Sequence, residues 1–372
     1  MKKLKIASLF SGVGTPEQSL KHSNIEHETV FACEIGKFAR ITYLANNQEP
    51  NTFYEDVYNI DGNKYKNKID ILVGGSPCQS FSIAGKRLGT DCPRGNLIYE
   101  YFRIVEESQP KVFIYENVKG FLSIDKGETF KNFVQSFKDL GYTTYHQVLN
   151  TKDYGVPQNR ERIYIVGFRE NIDFEFAPKQ ELKLRLKDML EDSVNEKYFL
   201  NKTNINFMNT TWGKDTRWRK MKNPINGCAG TICATHSKGL PRGVIINNQE
   251  IQDYIYANGL IEVDEEVRVK EAVKKGYTVA NEGDSINISV PSSKTRRGKQ
   301  VAQTLDTACN QVVFNDQYIF RKLTPRECFR LQGFDDSFIF PEKLSDSQLY
   351  KQAGNGMSRN ILDMLFTQIL IS

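Results

Sequence analysis

The chain has 372 residues, of which 39% are hydrophobic and 26% charged, with a net charge of +5. That length allows about two domains, and the hydrophobic share is ordinary for a soluble globular protein. The mild positive charge permits a polyanionic partner without demanding one. Seven cysteines occur without a CxxC pair, which argues for a reducing compartment and against a disulfide framework. The opening "MKKLKIASLFSGVG" is charged and then apolar, but the apolar part runs into a glycine turn, so it reads as a first strand and not a signal peptide. The closing "NILDMLFTQILIS" is apolar but too short to span a membrane. A cytoplasmic protein is expected.

In chain order, "KLKIASLF" (3–10) reads as a strand and "SGVGTPEQSL" as a turn into a helix. Pro16 and Glu17 suit a first helical turn, where a missing amide is harmless and a negative charge meets the dipole. "TVFACE" (29–34) is a second strand, followed by a helix to about Asn46. "IDILVGG" (69–75) and "KVFIYENV" (111–118) are continuous apolar strands of the kind buried on both faces of a parallel sheet. Between them "NLIYEYFRIVEES" (96–108) has helical apolar spacing, and "YTTYHQVLN" and "RIYIVGF" look like two further strands. This alternation predicts a doubly wound, Rossmann-like α/β domain over 1–177. Residues 178–320 are richer in Asn, Lys and short irregular runs, and read as a second, smaller, mostly irregular or β domain. Within it the acidic "EVDEE" (262–266) reads as a solvated helix face. Residues 321–372 restore order and end in an amphipathic helix opening after Gly354 and Asn355, expected to pack back onto the first domain.

Several motifs could carry chemistry. "FSGVG" (10–14) puts glycines after the first strand, where a backbone can approach a cofactor at a helix N-terminus. Glu34 ends the next strand, 20 residues beyond Gly14, where a carboxylate typically grips ribose hydroxyls. The third glycine of the dinucleotide fingerprint is absent. Cys78 in "ILVGGSPCQSFS" (71–82) follows a proline among polar residues, so it is either core filling or a nucleophile. Glu116 of "ENV" closes the strand after the cysteine loop, either as a salt-bridged rim residue or as a carboxylate that shares a proton. In "QNRERIYIVG" (158–167) Arg160 and Arg162 point to the same side of an extended chain and can orient a carboxylate or contact phosphate.

The order of these pieces is more specific than any one of them. "FSGVG", Glu34, "DV" (56–57), "GGSPCQSFSIAGKRLG", "RGNLIYE", "ENV", "QNRERIYIVG", "RKLTPRECFRLQGF" and "QAGNGMS" closely resemble the DNA (cytosine-5)-methyltransferase family, of the bacterial or phage restriction-modification type. The resemblance covers roughly 1–175 and 320–372 and leaves out the middle.

The resemblance implies S-adenosylmethionine as methyl donor, duplex DNA as substrate and no metal. Cys78 would add to carbon 6 of cytosine, making carbon 5 nucleophilic toward the sulfonium methyl; a thiol suits both attack and departure. Glu116 would share a proton at N3 and read the exocyclic amine. Arg162 would hold the base and Glu116, with Arg160 assigned more loosely to the same site. Phe10, Gly12 and Gly14 would line the cofactor, Glu34 take its ribose, Asp56 and Val57 its adenine region, and Leu97 form an apolar wall. Pro77 would stiffen the turn that aims Cys78, and Asn355 and Gly356 would close the pocket. Thr15 and Gly356 depart from the family, which commonly has glycine and serine there.

A cytosine inside a duplex hides carbon 6 in the stack, so the base must be flipped out. "SFSIAGKRLGTDCPRG" (80–95) fits a mobile loop with Lys86, Arg87 and Arg94 for phosphates, while Gln79 and Ser82 could contact the displaced region. In the middle, "TWGKDTRWRKMK" (211–222) holds five basic residues and two tryptophans, suited to a phosphate groove. "SSKTRRGKQVAQTLDT" (292–307) places Arg296, Arg297, Lys299 and Gln300 before Thr304 and Leu305; in this family a Thr-Leu pair often lies in the target recognition region, and Arg and Gln can read base edges. A monomer is expected, with a restriction endonuclease as a partner at the same site. Three alternatives stay open: the same chemistry on tRNA, whose enzymes have a short middle region; a catalytically silent DNA-binding protein; and a nicotinamide oxidoreductase, suggested by the glycine turn alone.

Overall fold

The computed structural model describes residues 3–77, 97–198, 262–263, 267–270, 277–280, 284–287, 297–298, 302–303, 311–314 and 320–372. The first part alternates strand and helix: β1 (Leu4–Leu9), α1 (Thr15–His22), β2 (His27–Cys33), α2 (Lys37–Asn46), β3 (Phe53–Tyr54), β4 (Ile71–Gly74), α3 (Leu97–Ser108), β5 (Val112–Val118), α4 (Glu128–Asp139), β6 (Thr143–Asn150), β7 (Gln158–Asn159) and β8 (Glu161–Phe168). Seven strands form one sheet in the order β3-β2-β1-β4-β5-β8-β6. β1 pairs in parallel with β2 and β4, and β4 with β5. β8 runs antiparallel to both β5 and β6. The order reverses at β1, and the carboxyl edge of a sheet at such a switch point is where α/β proteins bind ligands.

The apolar runs are continuous because both faces are covered. In β4, Leu72 joins one core while Ile71 and Val73 join the other. In β5, Phe113 and Tyr115 face the first core and Val112 and Ile114 the second. The first core takes Tyr101 and Ile104 of α3 and Phe133 and Phe137 of α4. Its aromatic rings meet edge-on or tilted, with Phe113 and Phe137 centroids 4.3 Å apart and Tyr101 and Tyr115 4.8 Å apart. Replacing Phe113 with alanine would cost about 3–5 kcal/mol through lost burial and the void left behind.

The C-terminal part adds α5 (Pro325–Arg330), α6 (Asp346–Asn355) and α7 (Arg359–Ile371) after eight short strands among the described residues between 262 and 322. Leu362, Leu365 and Phe366 of α7 complete the second core against Ile6 and Ile71. Asp363 fastens α7 to α1 by accepting the Ser19 hydroxyl at 2.7 Å and pairing with His22 at 3.1 Å. Apart from Asp284, the described residues from 262 to 322 are strand. The acidic segment read as a helix face is a correction: Glu262–Val263 is β9, antiparallel to β10 (Val267–Lys270). The alternation of Val267, Arg268, Val269 and Lys270 supplies a period of two that the acidic run obscured. The strand Ala302–Gln303 leaves that region to pair with β7, Ala302 opposite Gln158. No helix among the described residues is long and apolar enough to cross a membrane.

Candidate active site

Register brings the motifs to one edge. Leu9 at the end of β1 lies opposite Cys33 of β2 and Gly74 of β4, and Gly74 lies opposite Tyr115 of β5. The residues that follow, Phe10, Glu34, Gly75 and Glu116, therefore emerge side by side at the carboxyl ends of four parallel strands.

On one side of this edge is a glycine turn. Phe10 has φ +54°, Gly12 +55° and Gly14 +83°. A left-handed phenylalanine is strained, and such strain collects where a site fixes the backbone. The Gly12 amide donates to Glu34 Oε2 at 2.9 Å, and the Gly36 amide donates to Glu34 Oε1 at 2.7 Å. Both carboxylate oxygens are thus oriented, and the space beside Gly12 Cα is open. Asp56 caps the short turn Val57–Asn59 by accepting the Tyr58 amide at 3.0 Å. Val57 is buried, Leu97 packs at the margin of the first core, and Ile35 beside Glu34 is 77% exposed. An apolar rim, a fixed carboxylate and an open glycine cradle suit the adenosyl and ribose parts of S-adenosylmethionine. Cys33 between these residues is inert: burial, with the nearby Glu34 and Asp56 charges, pushes its thiol up to about 12.

On the other side is the Glu116 cluster. Glu116 in β5 lies opposite Tyr164 of β8, and Val118 opposite Arg162. Glu116 is 9% exposed, and its buried Oε1 makes no hydrogen bond. That oxygen lies 3.3 Å from Arg162 Nε and 3.9 Å from Arg160 Nη2. Gly75 is close against the same carboxyl: a Cβ there would stand 3.0 Å from Oε2 and 2.8 Å from the Glu116 carbonyl oxygen. The chain reaching Pro77 is held from beneath. Asn117 Nδ2 donates to the Tyr115 hydroxyl at 2.8 Å and to the Ser76 carbonyl at 3.3 Å, and the Ser76 and Tyr115 hydroxyls are 2.7 Å apart.

The two arginines do different things. Arg162 stays beside Glu116. Arg160 is 2% exposed and donates to the carbonyls of Gly354 at 3.2 Å and Gly356 at 2.8 Å, tying the β8 side of the site to the turn between α6 and α7. Burial and then the Arg162 charge lower it to about 10. Gln332 secures the same turn, donating to the Ala353 carbonyl at 2.7 Å and accepting the Ser358 hydroxyl at 3.0 Å. Asn355 is exposed and Gly356 half-buried; a Cβ at Gly356 would stand 3.9 Å from Thr15 Oγ1, so Thr15 and Gly356 lie close together.

Sequence reasoning missed Asn117, Ser76, Gln158 and Gln332 as organisers. All four lie inside the quoted motifs, and for Ser76 and Asn117 a polar residue at an apolar strand end was the available signal. Gln158 donates to the Leu331 carbonyl at 2.6 Å, joining the "QNRER" and "RLQGF" segments. Cys78, Gln79, Ser82, Lys86, Arg87 and Arg94 lie outside the described residues, as do Arg296, Lys299, Gln300 and Thr304. Arg297 is described as backbone in the strand Arg297–Gly298. No group of acidic, His and Cys side chains among the described residues could hold a metal.

This sheet, with its glycine turn and oriented carboxylate, has the Rossmann-like fold of methyltransferases. Two solved structures share it: the Dnmt2 methyltransferase of S. pombe, with TM-score 0.62 and 17% identity over 100% of this chain and 99% of that one, and a DNA modification methyltransferase encoded within an E. coli prophage, with TM-score 0.59 and 20% identity over 99% and 100%. The family description "C-5 cytosine-specific DNA methylase" matches residues 4–370. The orphan methyltransferase M.SPRI of Bacillus phage SPR is 33% identical over 100% of this chain and 98% of its own length. The type II methyltransferase M1.ScrFI of Lactococcus lactis subsp. cremoris is 34% identical over 96% and 75%. The chain belongs to the C-5 cytosine-specific DNA methylase family and is a DNA cytosine-5 methyltransferase.

Proposed function

We propose that this enzyme uses S-adenosylmethionine to methylate carbon 5 of a cytosine flipped out of duplex DNA within a specific sequence, through a covalent adduct between Cys78 and carbon 6. The observation that carries the reading is the convergence of Glu34, Gly75 and Glu116 at one sheet edge, two residues from Pro77. When bound, the cofactor would supply an electrophilic methyl group, its sulfur–methyl bond breaking so that it leaves as the neutral thioether S-adenosylhomocysteine. Phe10, Gly12, Gly14, Glu34, Asp56, Val57, Pro77, Leu97, Asn355 and Gly356 hold it, with the Glu34 carboxylate accepting from ribose hydroxyls.

Cys78 forms a bond to carbon 6 as electron density moves through the ring toward N3, and Glu116 shares a proton there. Carbon 5 then takes the methyl group. Loss of the carbon 5 proton to a base or water restores the double bond and expels the thiolate, so Cys78 is regenerated. Arg162 keeps Glu116 in place. Arg160, bound to the Gly354 and Gly356 carbonyls, positions the cofactor wall against the base pocket. Gln79, Ser82, Lys86, Arg87 and Arg94 grip the opened duplex, and 178–320 chooses the sequence with Arg296, Arg297, Lys299, Gln300 and Thr304. A restriction endonuclease cutting the same site is the partner this reading implies. Transfer of tritiated methyl groups to duplex DNA tests it: Cys78→Ser should abolish transfer while duplex binding persists, and normal turnover by that variant would remove Cys78 from its role. Cys92→Ser should remain active.

A further inference from the structure

Glu17 lies three residues past Gly14 and is 2% exposed. Its Oε1 accepts the Ser8 hydroxyl at 2.6 Å and the Tyr43 hydroxyl at 2.9 Å. Its Oε2 is buried without a hydrogen-bond partner, and no Lys or Arg pairs with it among the described residues. A carboxylate with one oxygen dry and unpaired is costly to bury, whereas the acid form is tolerated. Burial raises the Glu17 pKa, and the Ser8 and Tyr43 hydroxyls and the His27 charge offset only part of that rise. A first-turn glutamate normally faces water near the helix dipole; this one points into the protein.

Its partner Tyr43 reaches the glycine turn. A Cβ on Gly14 would stand 2.8 Å from Tyr43 Cδ2 and 2.2 Å from Asn47 Nδ2. Asn47 Nδ2 donates to the Val13 carbonyl at 3.1 Å, and Asn47 Oδ1 accepts from Gln18 Nε2 at 2.8 Å. The end of α2 thus grips the turn from Val13 to Gly14, the turn whose Gly12 amide orients Glu34.

We propose that Glu17, acting as a neutral carboxylic acid, is a positioning residue for the cofactor: through Tyr43 it sets the glycine turn that aligns Glu34. The proposal rests on the cofactor reading given above. Ser8 of β1, Tyr43 of α2 and His27 of β2 are the polar and titratable groups that act on Glu17, and Thr29 of β2 bonds Tyr43. The charges that α7 brings to α1, Asp363 and Arg359, are engaged with Ser19, His22 and each other.

The test is calorimetric titration of the full chain with S-adenosylhomocysteine, the demethylated cofactor, alongside kcat and cofactor KM on duplex DNA and thermal unfolding. Glu17→Gln keeps the shape and the two accepted bonds without a charge, so it should bind within about twofold of wild type. Glu17→Ala and Tyr43→Phe should weaken binding and raise cofactor KM roughly five- to tenfold, the loss of one buried hydrogen bond, with kcat within about twofold. A Glu17→Gln variant as weak as Glu17→Ala would overturn the neutral-acid form, and a Tyr43→Phe variant that binds like wild type would overturn the positioning role. If Glu17→Ala does not fold, Glu17→Gln and Tyr43→Phe decide by the same criteria. A wild type that fails to bind would refute the cofactor reading itself, an outcome distinct from a binding wild type with an impaired Glu17→Gln.

Discussion

Two guanidinium groups stand near one carboxylate, and the structure gives them different work. Glu116 Oε1 is buried with Arg162 Nε at 3.3 Å as its near partner. Glu116→Gln should therefore slow methylation by about tenfold or more, the usual range for losing a positioned acid, while cofactor affinity holds. Calorimetry showing lost cofactor binding would instead put Glu116 in the cofactor pocket. Arg160→Ala leaves the Gly354 and Gly356 carbonyls without their donor, so it should destabilise the protein by on the order of 3 kcal/mol in urea unfolding. Equal stability of that variant and wild type would show that the turn finds other donors. The type of each residue was legible in the sequence, and the split between Arg160 and Arg162 was not. The carbonyls that Arg160 meets lie 194 and 196 residues further along the chain, beyond any local pattern.

At the scale of elements, the long apolar strands were readable because a strand buried on both faces is apolar at every position. Strand direction was not readable: β8 has the same apolar run as a parallel strand but crosses antiparallel beside β5. The helix α1 shows the same limit: the sequence reads Glu17 as a first-turn charge meeting the dipole, and the fold buries its side chain instead. This burial carries a pH signature. With its pKa raised in the folded state, Glu17 keeps its proton where the unfolded chain has released it. Folding then takes up a proton, and stability falls as pH rises from the ordinary carboxylate range to the folded pKa. Glu17→Gln should lack this loss, so its melting temperature should gain on wild type as pH is raised through that window. A difference between the two that stays constant with pH would contradict a buried neutral acid.

Across the whole molecule, distant motifs of the sheet domain are held together by direct contacts, and in our proposal sequence choice falls to residues 178–320. In our proposal the segment 292–307 reads bases while 211–222 grips backbone, because the former mixes Arg, Gln and Thr and the latter is basic residues with two indoles. The pairing of Ala302 with Gln158 connects the first of these segments to the strand that leads to Arg160 and Arg162. Arg296→Ala or Arg297→Ala should relax the preferred site, at about 1–3 kcal/mol of discrimination for each lost bidentate contact. Lys220→Ala should weaken binding to all duplexes alike and reduce the salt dependence by about one phosphate contact. Binding to matched and single-mismatch duplexes at several salt concentrations reads both, and a uniform loss in the Arg296 and Arg297 variants would move the determinants to 230–243.

The central claim is that the enzyme methylates cytosine at carbon 5 in DNA within a fixed sequence, with Cys78 as the nucleophile that adds to carbon 6. Bisulfite sequencing of DNA and tRNA from cells that lack other cytosine methylation, expressing either the wild type or Cys78→Ser, tests it most directly. The account predicts conversion-resistant cytosines in one recurring sequence context with the wild type and none with Cys78→Ser. Resistant cytosines appearing equally with both proteins, or in tRNA and not in DNA, would contradict it.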